Sequence, residues 1–186
     1  MEREELEHLI RAAAEVTQEY EFIIIGSQSI LGPIPNPPAE LKLSMEADMY
    51  PSNAPEKADL IDGALGEGSP FHDTYKYYAQ GVGPETPTLP QGWRGRLHRV
   101  QTPNTDLKVG LCLDVSDLFM AKAAANRDKD REFNMDLLRH GFVKLEQAIE
   151  MVALMPVDDK AKRDLRARIR RWARMLKERG HDLPAG

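Results

Sequence analysis

Cysteine is almost missing from this chain: one residue in 186, Cys112. A single thiol cannot close an internal disulfide, and Cys-rich zinc sites are excluded with it. Set in the apolar run VGLCLDV, Cys112 is expected to be buried and inert rather than nucleophilic. Long apolar runs are missing too. No stretch approaches the roughly 18 consecutive apolar residues of a membrane helix, and the opening MEREELEHL lacks the apolar segment of a secretory signal. A cytoplasmic protein without membrane contact is therefore expected. Of the five histidines, His72 and His98 are not spaced as a metal pair, and both are read as structural. No internal repeat is visible.

What remains is a chain 41% hydrophobic and 30% charged, the composition of a soluble globular protein with enough length for a sizeable core. The net charge of −5 is unevenly placed. Between Val157 and Gly180 there are ten Lys or Arg against four Asp or Glu, a basic tail on an acidic body.

Residues Glu4 to Glu19 carry Leu6, Leu9, Ile10, Ala13 and Val16 at the three-and-four spacing of an amphipathic helix, running into a buried strand at Phe22 to Ile25. The strand stops at Gly26-Ser27, and the prolines of LGPIPNPPAEL force any helix after Gly26 to end near Leu31. LKLSMEADMYP alternates Leu41, Leu43, Met45, Ala47 and Met49 against Lys42, Ser44, Glu46, Asp48 and Tyr50, which predicts a half-buried strand. PEKADLIDGALG reads as helical. The Gly, Pro and aromatic segment from Glu67 to Trp93 reads as an ordered excursion with a short turn of helix at Thr74 to Tyr78. RLHRVQT and LKVGLCLDV are strands joined by the turn PNTD. Four helices follow: Ser116 to Asn126, Asp128 to Arg139, Val143 to Met155, and Asp158 to Arg179. The expected class is α+β, a mixed sheet with packed helices over residues 1–115 and a helical portion over 116–186.

Two sets of residues carry chemistry. A strand ending in Gly26-Ser27 leaves backbone N–H groups and a hydroxyl where an anion such as a phosphate can dock. Glu46 and Asp48, two apart on a strand, project from one face and can share a divalent cation. Together these are the minimum equipment for metal-assisted phosphoryl or nucleotidyl transfer, although two acids on a polar strand face can equally be solvated surface.

The pattern resembles the nucleotidyltransferase superfamily, in which Gly-Gly or Gly-Ser after a strand is followed by an acid-x-acid on the next. Gly26-Ser27 and Glu46-Ala47-Asp48 fill those places, with Glu where many members have Asp and a longer interval filled by the proline loop. The resemblance continues in LDVSDLFMAKAAANRDKDREFNMDLL. This segment is similar to the helix signature of bacterial nucleotidyltransferases akin to abortive-infection toxins, with Asp117-Leu118, Lys122, Arg127, Lys129 and Asp130 in order. The resemblance implies an Mg²⁺- or Mn²⁺-dependent transfer of NMP from an NTP. Its candidate catalytic residues are Glu46, Asp48, Lys122 and Asp130, with Gly26, Ser27 and Lys122 on phosphate and Glu46 and Asp48 on metal.

From the residues alone, Lys122 lies among Leu118, Phe119, Met120 and alanines, so if buried it needs an anion such as triphosphate or Asp130. Arg127 and Asp130 can form a structural pair. For the third acid common in the family, the candidates are Asp106 in a turn and Asp114 before a helix. The acceptor suggested by the basic tail is RNA, tRNA first, held by Arg163, Arg166, Arg170, Arg171, Arg174 and Lys177; a protein acceptor is the other possibility. The competing function is a catalytically weak or inactive binding protein of a toxin-antitoxin or phage-defence pair, with a protein or RNA partner.

Overall fold

A computed structural model describes residues 1–183; the last three residues of the expected helical portion lie outside it. The described chain divides into two compact units: Met1–Thr86 with Arg96–Asp114, and Pro87–Gly95 with the segment from Val115 onward.

The first unit is built on a sheet. Helix α1, Arg3–Thr17, opens with Glu2 and Glu5 as a capping box and ends at Gln18, which takes a left-handed conformation. Its apolar stripe, Leu6, Leu9, Ile10 and Ala13, is fully buried. Burying each of the three larger side chains is worth about 1.5–3 kcal/mol. Strand β1, Glu21–Ile25, follows, and after a long loop β2, Glu46–Pro51, pairs with it antiparallel. Next come α2, Ala58–Leu65, the short α3, Pro70–Tyr75, and β3, Tyr78–Gly81. Strands β4, His98–Val100, and β5, Val109–Cys112, complete the sheet in the order β3-β2-β1-β5-β4, with β5 parallel to β1 and antiparallel to β4.

The pairing fixes which side chains share a face. Ile24 is level with Met49 and Cys112, and Ile25 with Asp48. Helix α1 covers the Ile24 face, close enough that a Cβ added to Gly110 would stand 2.5 Å from Ile10 Cδ1. Cys112 is fully buried there, and burial pushes its thiol up to about 12, so it is inert as expected.

Two local expectations are corrected. The strand expected from Leu41 begins only at Glu46, and Leu43 and Met45 are 77% and 41% exposed instead of alternating into the core. The preceding carbonyls are taken by the amino group of Met1, which donates to Lys42 O and Ser44 O. The ladder reaches back only as far as the Met45 carbonyl, which accepts from the Tyr78 N–H at 3.0 Å. The helical turn expected at Thr74–Tyr78 lies earlier, as α3, and Tyr78 instead opens β3. Ser69 caps α3 by accepting from the His72 N–H, and Lys76 ends it with φ 68°.

The second unit is helical: α4, Val115–Ala125; α5, Asp128–Arg139; α6, Leu145–Met151; and α7, Asp159–Glu178. Helix α4 is apolar on most sides and packs as an internal helix, with Leu118, Phe119 and Met120 at most 1% exposed. The amphipathic α7 buries Leu165, Ile169, Trp172 and Leu176, and Trp172 meets Phe119 edge to face at 6.1 Å.

Candidate active site

The chemistry of the first unit gathers where β1 ends and β2 begins. Antiparallel pairing sets Asp48 opposite Ile25, one residue before Gly26. Gly26 leaves the strand with φ 69° and ψ −171°, a conformation essentially confined to glycine, and leads into a 3₁₀ turn over Ser27–Leu31. Ser29 Oγ closes that turn by donating to Gly26 O at 2.9 Å. A Cβ at position 26 would stand 1.9 Å from Asp48 Oδ2. The interruption after Ile25 therefore has a steric cause: the space that a side chain would fill is occupied by the Asp48 carboxylate. The adjacency of Gly26-Ser27 and the acid-x-acid pair expected from sequence is thus present in the fold.

Glu46 and Asp48 are half-buried and share the face of β2 that also carries Tyr50. Across the parallel ladder to β3, Tyr78 stands level with Glu46 and Gln80 with Asp48. Tyr78 Oη donates to Glu46 Oε2 at 3.4 Å. Burial, and then the negative charges of Glu46, Glu67 and Asp48 with the hydrogen bond to Glu46, push the Tyr78 phenol up to about 12. The carboxylates of Glu46, Glu67 and Asp48 that act on this phenol also make the patch favourable for a cation. The sequence placed Tyr78 at the end of a helical turn as an aromatic anchor and gave Gln80 no role, because β3 is only four residues long inside a Gly- and Pro-rich segment.

A third carboxylate does not align with these two on β5. On the Asp48 face β5 carries Val109 and Leu111, which are level with Glu21 and Ile23. Asp114, beyond the strand end, meets His98 Nε2 through Oδ2 at 3.0 Å, and His98 is level with Cys112 on the other face. Asp106 lies in a left-handed turn after Pro103–Thr105. Among the described residues no group of three or more His, Cys, Asp or Glu side chains is placed to hold a metal ion. Two carboxylates beside a glycine turn nevertheless fit Mg²⁺, which keeps most of its waters and is commonly bound by one or two carboxylates together with substrate phosphates. Glu46 and Asp48 are the residues that would hold such an ion.

The other sequence-selected residues come together in the second unit. Lys122 Nζ donates to Asp130 Oδ1 at 3.0 Å and lies 4.5 Å from the centroid of the Phe133 ring. The two side chains are 6% and 0% exposed. Arg127 Nε donates to Asp130 Oδ2 at 2.7 Å, and its backbone N–H donates to the same oxygen at 3.3 Å, so Asp130 also caps α5. Burial lowers the Lys122 pKa, against the opposing pull of Asp130. Burial would raise that of Asp130, but the hydrogen bond from Arg127 and the charge of Lys122 outweigh it and hold the carboxyl below its usual range. Asp130, one of the two anions the sequence offers for Lys122, is in contact with it.

No curated protein and no solved structure matches the chain. A family model described as a nucleotidyltransferase of unknown function (DUF6036) matches residues 4–174, nearly the whole chain, including both the Gly26–Asp48 constellation and the Lys122–Asp130 pair. With a glycine turn and an acid-x-acid strand in contact on a mixed sheet, the chain belongs to this nucleotidyltransferase family.

Proposed function

We propose that the protein transfers a nucleoside monophosphate from an NTP to an acceptor, with Glu46 and Asp48 holding Mg²⁺ or Mn²⁺. The observation that carries this reading is the fit of Gly26 against Asp48, where a missing side chain makes room for a carboxylate beside the turn that follows β1. A divalent ion there would neutralise charge on the phosphates as it develops. Ser27 and the backbone of the turn would orient the phosphate chain and Glu46 and Asp48 would hold the ion, from strands whose apolar side chains are buried. Lys122, with Asp130 as its partner, is proposed to serve the phosphates of the nucleotide.

RNA is the acceptor favoured by surface charge. Arg163, Arg170, Arg174 and Lys177 are exposed on α7 at intervals of seven, four and three residues, which places them on one helix face over about 21 Å. Such a row suits a phosphate backbone. That β5 carries Val109 and Leu111 on the Asp48 face favours the second reading, a binding protein of a toxin-antitoxin or phage-defence pair that has lost transfer activity.

Incubating the protein with α-labelled NTPs, Mn²⁺ or Mg²⁺, total RNA and lysate separates the two. Covalent label on an acceptor, lost in Glu46→Ala with Asp48→Ala while the variant stays folded, is expected. Metal-independent nucleotide binding of equal affinity in that double variant would overturn the metal assignment, and nucleotide binding without label transfer would leave the binding protein.

A further inference from the structure

The polar face of β2 is braced from β3 and from the turn before α3 by a chain of contacts. The Gly68 N–H donates to His72 Nδ1 at 3.0 Å, which leaves the other ring nitrogen, Nε2, to carry the proton of the neutral imidazole. The His72 ring lies against the Tyr78 ring, centroids 4.6 Å apart. Tyr78 Oη then donates to Glu46 Oε2. The turn that starts this chain is itself well defined: Gly68 has φ 76°, and Ser69 Oγ accepts from the His72 N–H. A glutamate has three rotatable side-chain bonds and Asp48 only two, so Glu46 is the carboxylate that gains most from an external partner.

We infer that Tyr78 is a positioning residue that holds the Glu46 carboxylate ready for a divalent cation, and that His72 fixes the Tyr78 ring for that purpose; the inference rests on the metal assignment above. The phenol takes one carboxylate oxygen and leaves the other for the ion. Groups of this kind around metal ligands commonly change metal affinity by about 10- to 100-fold when removed. The ring of Tyr78 is half-buried, so Tyr78→Phe keeps the packing and removes only the hydrogen bond.

The test is a titration with Mn²⁺ alone, free ion read by its EPR signal, with thermal melting as the check on folding. Tyr78→Phe is expected to melt like the wild type and to bind Mn²⁺ about 10-fold more weakly. His72→Ala, which removes the brace but not the phenol, is expected to lose less. Placed in a Glu46→Gln background, Tyr78→Phe is expected to cause no further loss, because its effect passes through Glu46. Unchanged Mn²⁺ affinity in Tyr78→Phe, or an equal further loss in the Glu46→Gln background, overturns the positioning role. Should Tyr78→Phe fail to fold, His72→Ala carries the test, and Mn²⁺ affinity unchanged in it overturns the chain of contacts. Mn²⁺ binding by the wild type that ignores Glu46→Gln is a different failure: it removes the metal assignment itself, and this role with it.

Discussion

Replacing Gly26 with alanine tests the geometry on which the proposed activity stands. Two costs can be separated. The backbone at φ 69° and ψ −171° is nearly forbidden to a residue with a side chain, and holding alanine there costs about 1–3 kcal/mol. The new Cβ would also stand 1.9 Å from Asp48 Oδ2 and 2.9 Å from its Cγ, so the carboxylate must swing aside, for about 0.5–1.5 kcal/mol of rotamer strain. Urea unfolding should therefore show a loss of about 1.5–4.5 kcal/mol. The functional loss should be larger in proportion, because the atom displaced is the proposed metal ligand, and a misplacement on the order of 1 Å can cost about 100-fold in rate. Combining Gly26→Ala with Asp48→Ala isolates the second cost: with no carboxylate to strike, the pair should lose less than the two single changes added together. Label transfer is measured on the single variant and unfolding on all three. A Gly26→Ala protein with wild-type stability and wild-type metal-dependent nucleotide binding would refute the reasoning.

Three further outcomes are expected. Lys122→Ala removes one member of a buried pair and should destabilise the protein by about 3 kcal/mol; if Lys122 also serves phosphate, the variant loses more affinity for triphosphate than for monophosphate, and equal losses would mark the lysine as purely structural. Asp130 sets an acid limb: its folded pKa is held below the value of about 3.9 usual for an unfolded aspartate, so the unfolded chain binds the proton more readily. The stabilisation is complete above about pH 4 and is lost as the pH falls through the folded value, so the melting temperature should drop over that window less steeply in Asp130→Asn, and matching acid limbs would contradict the assignment. Reversing Arg170 and Arg171 to Glu should weaken RNA binding and flatten its salt dependence while sparing NTP binding; unchanged RNA affinity at low salt would make α7 a packing element.

The sequence by itself determined whatever depends on neighbours along the chain. The three-and-four spacing of Leu6, Leu9, Ile10 and Ala13 specified α1 and its buried stripe, and the prolines after Leu31 limited the turn that follows Gly26 to a single short 3₁₀ segment. The four apolar residues from Phe22 specified β1, and the alternation around Ala47 and Met49 put Glu46 and Asp48 on one face. Tertiary structure decided what depends on partners far away in sequence. Leu43 and Met45 repeat the same alternation but face solvent: they precede the strand, where the carbonyls of Lys42 and Ser44 are taken by the amino group of Met1 instead of a neighbouring strand. Strand β3 has too few residues to show a period, and it exists because β2 offers it a parallel edge; only that edge brings Tyr78 to Glu46. Likewise, the sequence placed Lys122 in an apolar helix and required an anion for it, while the packing of α4 against α5 chose Asp130. Periodicity is a property of one segment, whereas register and charge pairing are settled between segments, and a buried charge is too costly to be left without the partner that the fold supplies.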